Sequence, residues 1–207
     1  MDIVYTIGHS RHETDFFLNL LRKHKVDIVL DVRSAPYSVR QPQFNREILS
    51  LSLRDAKLAY MYLGEYFGAR QPEGDYYTED GWLQYRAFAK THVFKEGINK
   101  LDSVLADGKV PALLCAEKDP FNCHRAIMIG HALAKQGYEV RHILEDGSLL
   151  SQQKLDIRLL DKYFPKRGEA SIFDILEGVP DPEAMLDEAY DLRNEAIAWR
   201  KEQSEED

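Results

Sequence analysis

Short apolar runs alternate along the chain with longer stretches in which apolar residues recur every three or four positions. The short runs are residues 2–7, 27–32, 58–63, 110–114 and 138–144. The run at 27–32 is too apolar for a strand with one wet face and reads as a buried parallel strand. Between the runs, helical spacing is expected from Thr14 to about His24, with Phe16, Phe17, Leu20 and Leu21 inward. It is expected again over 46–56, over most of 82–106 up to Asp107-Gly108, over 123–136 closed by Gly137, and over 148–163 ahead of Pro165. Strands separated by helices demand right-handed crossovers. The pattern therefore predicts a three-layer α/β/α domain with a mainly parallel sheet over residues 1–165.

A C-terminal helical extension follows. Residues 166–180 read as a connector, and after them Met185, Ala189, Leu192, Ala196 and Trp199 form one stripe at spacings of four and three. Such a stripe packs either on its own domain or on a second copy, making a homodimer. Residues 166–207 hold 13 acidic and 5 basic side chains, so they carry the whole net charge of −8. Residues 1–165 hold 22 of each sign. A neutral core argues against nucleic-acid binding through a broad basic face, and leaves room for a local basic pocket. At 44% hydrophobic and 30% charged, the chain reads as globular.

No run approaches the ~18 apolar residues of a membrane span, so no membrane partner is expected. The first ten residues enter a strand pattern without a basic leader. Two cysteines make no disulfide framework, so reduced thiols and a cytoplasmic location are the expectation.

Chemistry-bearing residues fall just after the apolar runs: His9 and Ser10, Asp31 and Arg33, Cys115 and Glu117, and Asp146-Gly147. In an open α/β sheet the ligand crevice lies outside the carboxyl ends of the strands, so these groups should converge. Both cysteines lie within residues 115–125, with His124 and Arg125 directly behind Cys123. Asn122 as helix cap would put Cys123 among free backbone N–H groups, which favour a thiolate or a bound anion. Arg125 could then hold that anion through two donors. Cys115, at a strand end, reads as either an inert filler or a nucleophile or ligand. The spacing Cys-x7-Cys-His lacks the tight pairs of a structural zinc site, so no metal or cofactor is expected. Residues 33–46 contain Arg33, Arg40 and Arg46 with no acid, which suits a phosphate or carboxylate. From Tyr60 to Tyr85 the chain is rich in aromatics around Gly68 and Arg70, and Tyr66 and Trp82 are candidates to cover a site.

Several of these residues recur as an ordered series. Thr6-Ile7-Gly8-His9-Ser10 is followed by Asp31-Val32-Arg33, Pro36-Tyr37-Ser38, Pro42-Gln43-Phe44-Asn45, Leu63-Gly64 with Gly68 and Arg70, Leu113-Leu114-Cys115 with Glu117, Cys123-His124-Arg125, His142 and Gly147. Over about residues 3–147 this series resembles the bacterial and archaeal family known as domain of unknown function 488. The resemblance implies a fold and a set of site residues but no reaction. Gly68-Ala69 stands before Arg70 where a glycine pair is frequent in that family, and residues from 166 onward lie outside the resemblance. The chain is also faintly similar to rhodaneses, whose anion loop needs Cys and Arg closely spaced. Here nine residues separate Cys115 from Arg125 and one separates Cys123 from Arg125, and neither spacing fits.

The expected function is that of an enzyme acting on a phosphate-bearing ligand, a nucleotide or a nucleic-acid end. Ser10, Arg33, Arg40, Arg70, Cys123 and Arg125 would hold it, and His9, Cys115, Glu117 and His124 would carry the chemistry. Two other readings stay open: thiol-dependent sulfur or acyl transfer through Cys115, and a noncatalytic anion-binding sensor or adaptor.

Overall fold

The structure, a computed structural model, describes residues 2–165, 167 and 181–200. Strands β1 (Ile3–Gly8), β2 (Ile28–Asp31), β3 (Ala59–Tyr62), β4 (Pro111–Cys115), β5 (Glu139–Ile143) and β6 (Leu149–Ser151) form one sheet in the order β3-β2-β4-β1-β5-β6. Every neighbouring pair is parallel except β5 and β6. Alternate side chains of each strand face opposite sides, so the sheet separates two apolar layers. Tyr5, Ile7, Val29, Ala112 and Leu114 pack with α1 (Thr14–Lys23) and α2 (Arg46–Asp55). Val4, Leu30 and Leu113 face the other layer, which contains α5 (His92–Ala106) and α7 (Gln152–Tyr163). The short helices α3 (Gly64–Phe67), α4 (Tyr85–Phe88) and α6 (His131–Lys135), and the C-terminal α8 (Pro182–Ile197), are the other α-helices among the described residues. The expected three-layer α/β architecture with a mainly parallel sheet is found.

Three local expectations are corrected, and one is refined. In α1, Phe16 is 45% exposed and Leu18 is buried in its place. The stretch 82–106 is broken, because the Thr91 hydroxyl accepts from the Phe94 amide and starts α5 there. The stretch 148–163 begins as a strand: the chain turns tightly at Gly147 (φ +73°) and β6 folds back on β5, with Ile143 beside Leu149. Ser151 then caps α7 by accepting from the Lys154 amide. In α8 the buried residues are Ala189, Tyr190, Arg193 and Asn194, whereas Leu192 and Ala196 of the expected stripe are exposed.

The inward face of α8 is used within its own chain. The Tyr190 ring stacks on His131 at 3.6 Å, and its hydroxyl donates to Asp156 at 2.5 Å. The Asn194 side chain accepts from the Tyr85 amide and donates to the Leu83 carbonyl. The expected connector, residues 166–180, lies outside the described residues apart from Arg167. No helix among the described residues is long and apolar enough to cross a membrane.

Candidate functional site

Strands β2, β4 and β1 are neighbours, so their carboxyl ends share one rim. The ladder continues past β1: the His9 amide donates to the Cys115 carbonyl and the Ser10 amide to that of Ala116, both at 2.9 Å. A cleft of about 740 Å³ opens there, lined by His9, Ser10, Arg33, Arg40, Glu117 and Lys118 among others. A smaller hollow of about 230 Å³ shares Arg33 and Glu117 and adds Arg70, Cys115, Cys123 and His124. Nine of the ten expected site residues thus line one of two adjoining spaces. Asp146 does not join them; its carboxylate accepts from Ser148 in the β5–β6 turn.

The floor of the cleft is a buried ion pair. Arg33 donates through Nε to Asp31 Oδ1 at 2.8 Å and through Nη2 to Oδ2 at 2.6 Å, and the Tyr60 hydroxyl also donates to Oδ2. Nη1 of Arg33 is 3.2 Å from His9 Nε2. Arginine can only donate, so His9 Nε2 accepts, and Nδ1 carries the proton given to the Ser10 carbonyl at 2.9 Å. Burial, and then the Arg33 charge, push His9 down to about 4, so it is neutral at pH 7. Its ring stacks on Phe44 at 4.3 Å, which fixes its plane.

Beside this floor, Cys115, Cys123 and His124 form a buried triangle. His124 Nε2 is 3.0 Å from the Val32 carbonyl oxygen, which can only accept. The proton therefore sits on Nε2, and the lone pair of Nδ1 faces the sulfurs, 3.6 Å from Cys115 Sγ and 4.0 Å from Cys123 Sγ. Both cysteines are free thiols. The hydrogen bond to Cys123, and then burial, push Cys115 well up. Burial would raise Cys123 too, but the bond from Cys115 and the Arg125 charge outweigh it and hold that thiol well down.

The helix start expected at Cys123 is different in kind. Residues Pro120–Asn122 form a 3-10 turn, and the Asn122 side-chain oxygen accepts from Arg193 of α8 instead of capping a helix. Cys123 itself is extended (φ −136°, ψ 136°), and its carbonyl takes the amides of Ala126 and Ile127. The following turns, Arg125–Gly130, are a π-helix that runs into α6. Arg125 is fully buried and lines neither hollow. Its Nη1 donates to the Glu117 carbonyl at 2.5 Å, Nη2 to that of Lys118 at 3.1 Å and Nε to Thr6 Oγ1 at 3.3 Å. It holds the 117–118 loop in place, and the Glu117 carboxylate projects exposed from that loop.

Sequence reasoning placed Asp31 at the rim with Arg33 but did not pair the two, and it missed several residues of these walls. Arg11 and Lys118 line the cleft from exposed loops with no spacing to mark them. Trp199 forms part of the smaller hollow, with the Arg70 guanidinium 4.7 Å above its ring, although it lies far along the sequence. Tyr66 and Trp82, expected as covers, line neither space; Tyr85 and Tyr37 do.

Parallel strands with polar side chains gathered at their carboxyl ends define an α/β protein with a ligand crevice at the sheet rim. The chain belongs to the family described as Domain of unknown function DUF488, which it matches over residues 13–131. That span includes Arg33, Arg40, Arg70, the triangle and Arg125, whereas His9, Ser10 and α8 fall outside it. No curated protein and no solved structure matches the chain.

Proposed function

We propose that this protein is an enzyme acting on a phosphate-bearing ligand, a nucleotide or a nucleic-acid end, in the cleft at the carboxyl ends of β1, β2 and β4. One observation carries the reading: Arg11, Arg33, Arg40 and Lys118 converge on a cleft whose one acidic lining residue is Glu117. Asp31 answers the Arg33 charge and Glu145 that of Lys118, whereas Arg11 and Arg40 have no ion pair among the described residues. Two exposed arginines over a buried one suit a multiply charged oxyanion. Glu117 at the rim and neutral His9 at the floor are the candidates to move protons. Because α8 uses its inward face within its own chain, a single chain is sufficient for the cleft. A reducing compartment such as the cytoplasm would keep both thiols free.

Thermal unfolding with millimolar inorganic phosphate, nucleotides and short oligonucleotides tests the reading. At least one should raise the midpoint, and the rise should shrink in Arg40→Ala. No shift with any of them would overturn it. Thiol-dependent transfer, expected through Cys115, is the second reading; because Cys115 is the thiol pushed up and Cys123 the one held down, its nucleophile is moved to Cys123. It predicts that iodoacetamide labels Cys123 faster than a free-cysteine peptide at pH 7.

A further inference from the structure

We infer that Cys115, Cys123 and His124 form a three-ligand site for one zinc-class divalent metal ion, with its fourth position open to the smaller hollow. Neither the family nor the spacing of these residues assigns such a site. The inference does not rest on the phosphate reading and is tested without any ligand of the cleft.

Distance is the first support. A metal about 2.3 Å from sulfur and about 2.0–2.1 Å from nitrogen, at the tetrahedral angle, sets those two atoms about 3.6 Å apart. Cys115 Sγ and His124 Nδ1 are 3.6 Å apart, Cys123 Sγ and Nδ1 are 4.0 Å apart, and all three ligand atoms lie within 4.8 Å of one another. Little movement is needed to close them round an ion.

Proton placement is a second, independent support. An imidazole can ligate through Nδ1 only if that nitrogen is unprotonated, and a ligating histidine usually gives its other N–H to a carbonyl or carboxylate. His124 does this before any metal arrives, through Nε2 to Val32. The buried Arg125 adds fixed donors beside the site, bracing the 117–118 loop through its carbonyls. Backbone elements brace each ligand: Cys115 ends β4, and Cys123 follows the turn that Arg193 holds through the Phe121 carbonyl at 2.9 Å.

Two thiolates and an imidazole select zinc over magnesium or calcium, and a three-ligand set with an open position is the catalytic form of such a site. The hollow that all three ligands line would admit water or a ligand oxygen to that position. Arg33 and Glu117, which line both spaces, would place the metal beside the anion cleft. A metal holding both thiolates would exclude Cys123 as a free nucleophile.

The test uses the full chain, stripped with a chelator under reducing conditions and titrated with Co2+ and then Zn2+. One equivalent of Co2+ per chain should bind with a thiolate-to-cobalt charge-transfer band, and Zn2+ should displace it. Zinc should also slow iodoacetamide labelling of both cysteines, and chelator should restore it. Cys123→Ser and His124→Gln should each weaken Co2+ binding at least tenfold; circular dichroism checks that they fold. Should a variant not fold, zinc protection of the wild-type thiols decides the matter alone. Absence of the charge-transfer band, or labelling unchanged by zinc, would overturn the inference while leaving the phosphate result untouched.

Discussion

Arg33 grips Asp31, two residues before it, with two parallel hydrogen bonds of 2.8 and 2.6 Å, and turns its remaining Nη1 toward His9. Both side chains are out of water, at 7% and 0% exposure. The pair fixes which histidine nitrogen accepts from Arg33, while burial above all, helped by the Arg33 charge, keeps that histidine neutral.

Removing one partner of such a pair leaves an uncompensated buried charge. Asp31→Asn should cost about 3–5 kcal/mol in urea unfolding followed by circular dichroism. A loss below about 1 kcal/mol would mean that Arg33 finds water or another acceptor.

Acid should weaken the fold through its buried histidines. Burial above all pushes His9 and His131 to about 4 and His142 to about 3, from an ordinary 6.5. The unfolded chain therefore takes up protons below pH 6.5 that the folded chain refuses, so stability rises with pH across this window. It should be fully present above about 6.5 and decline as pH falls toward 4 and then 3. His9 alone accounts for roughly 3 kcal/mol at most. Unfolding free energies measured from pH 7.5 to 4 should slope less steeply in His9→Gln; equal slopes would refute the assignment.

Gly8 is required by its surroundings. A Cβ there would stand 1.8 Å from the Glu117 carbonyl oxygen that Arg125 holds. The two nearest atoms, the oxygen and carbon of that carbonyl, belong to backbone, so Gly8→Ala should cost about 3 kcal/mol, the upper end for overpacking, and displace the 116–118 loop. Gly108→Ala is the control: φ is +71° there but nothing lies within 4 Å, and about 1 kcal/mol is expected. Similar melting points for the two variants would contradict this.

The packing of α8 can be checked at one side chain. Asn194 satisfies the Tyr85 amide at 2.8 Å and the Leu83 carbonyl at 3.0 Å. Asn194→Ala should cost roughly 2–4 kcal/mol by leaving both unpaired, and hydrogen exchange at the Tyr85 amide should quicken. Unchanged protection would detach α8 from this segment.

Most elements of the α/β domain were legible because buried parallel strands and amphipathic helices leave periodic apolar patterns in any sequence. The pattern failed where polar contacts decide the structure. Asn122 looked like a cap until Arg193, 71 residues later, took its side-chain oxygen. The α8 stripe was misplaced because its buried face contains Arg193 and Asn194, which no hydrophobic pattern counts as inward. The β6 hairpin was read as helix because three residues are too few to show alternation.

The sequence by itself determined the layers, the strand ends and the convergence of His9, Arg33, Cys115 and Glu117 on one rim, since those follow from local periodicity and the topology of parallel sheets. Only the tertiary structure decided what each of them does there. The strand order made β2, β4 and β1 neighbours, burial turned Arg125 from an anion ligand into a loop support, and the fold-back of residues 116–122 brought Cys115 to the imidazole that follows Cys123. Hydrogen-bond partners and burial are properties of three-dimensional neighbours, and spacing along the chain does not encode them.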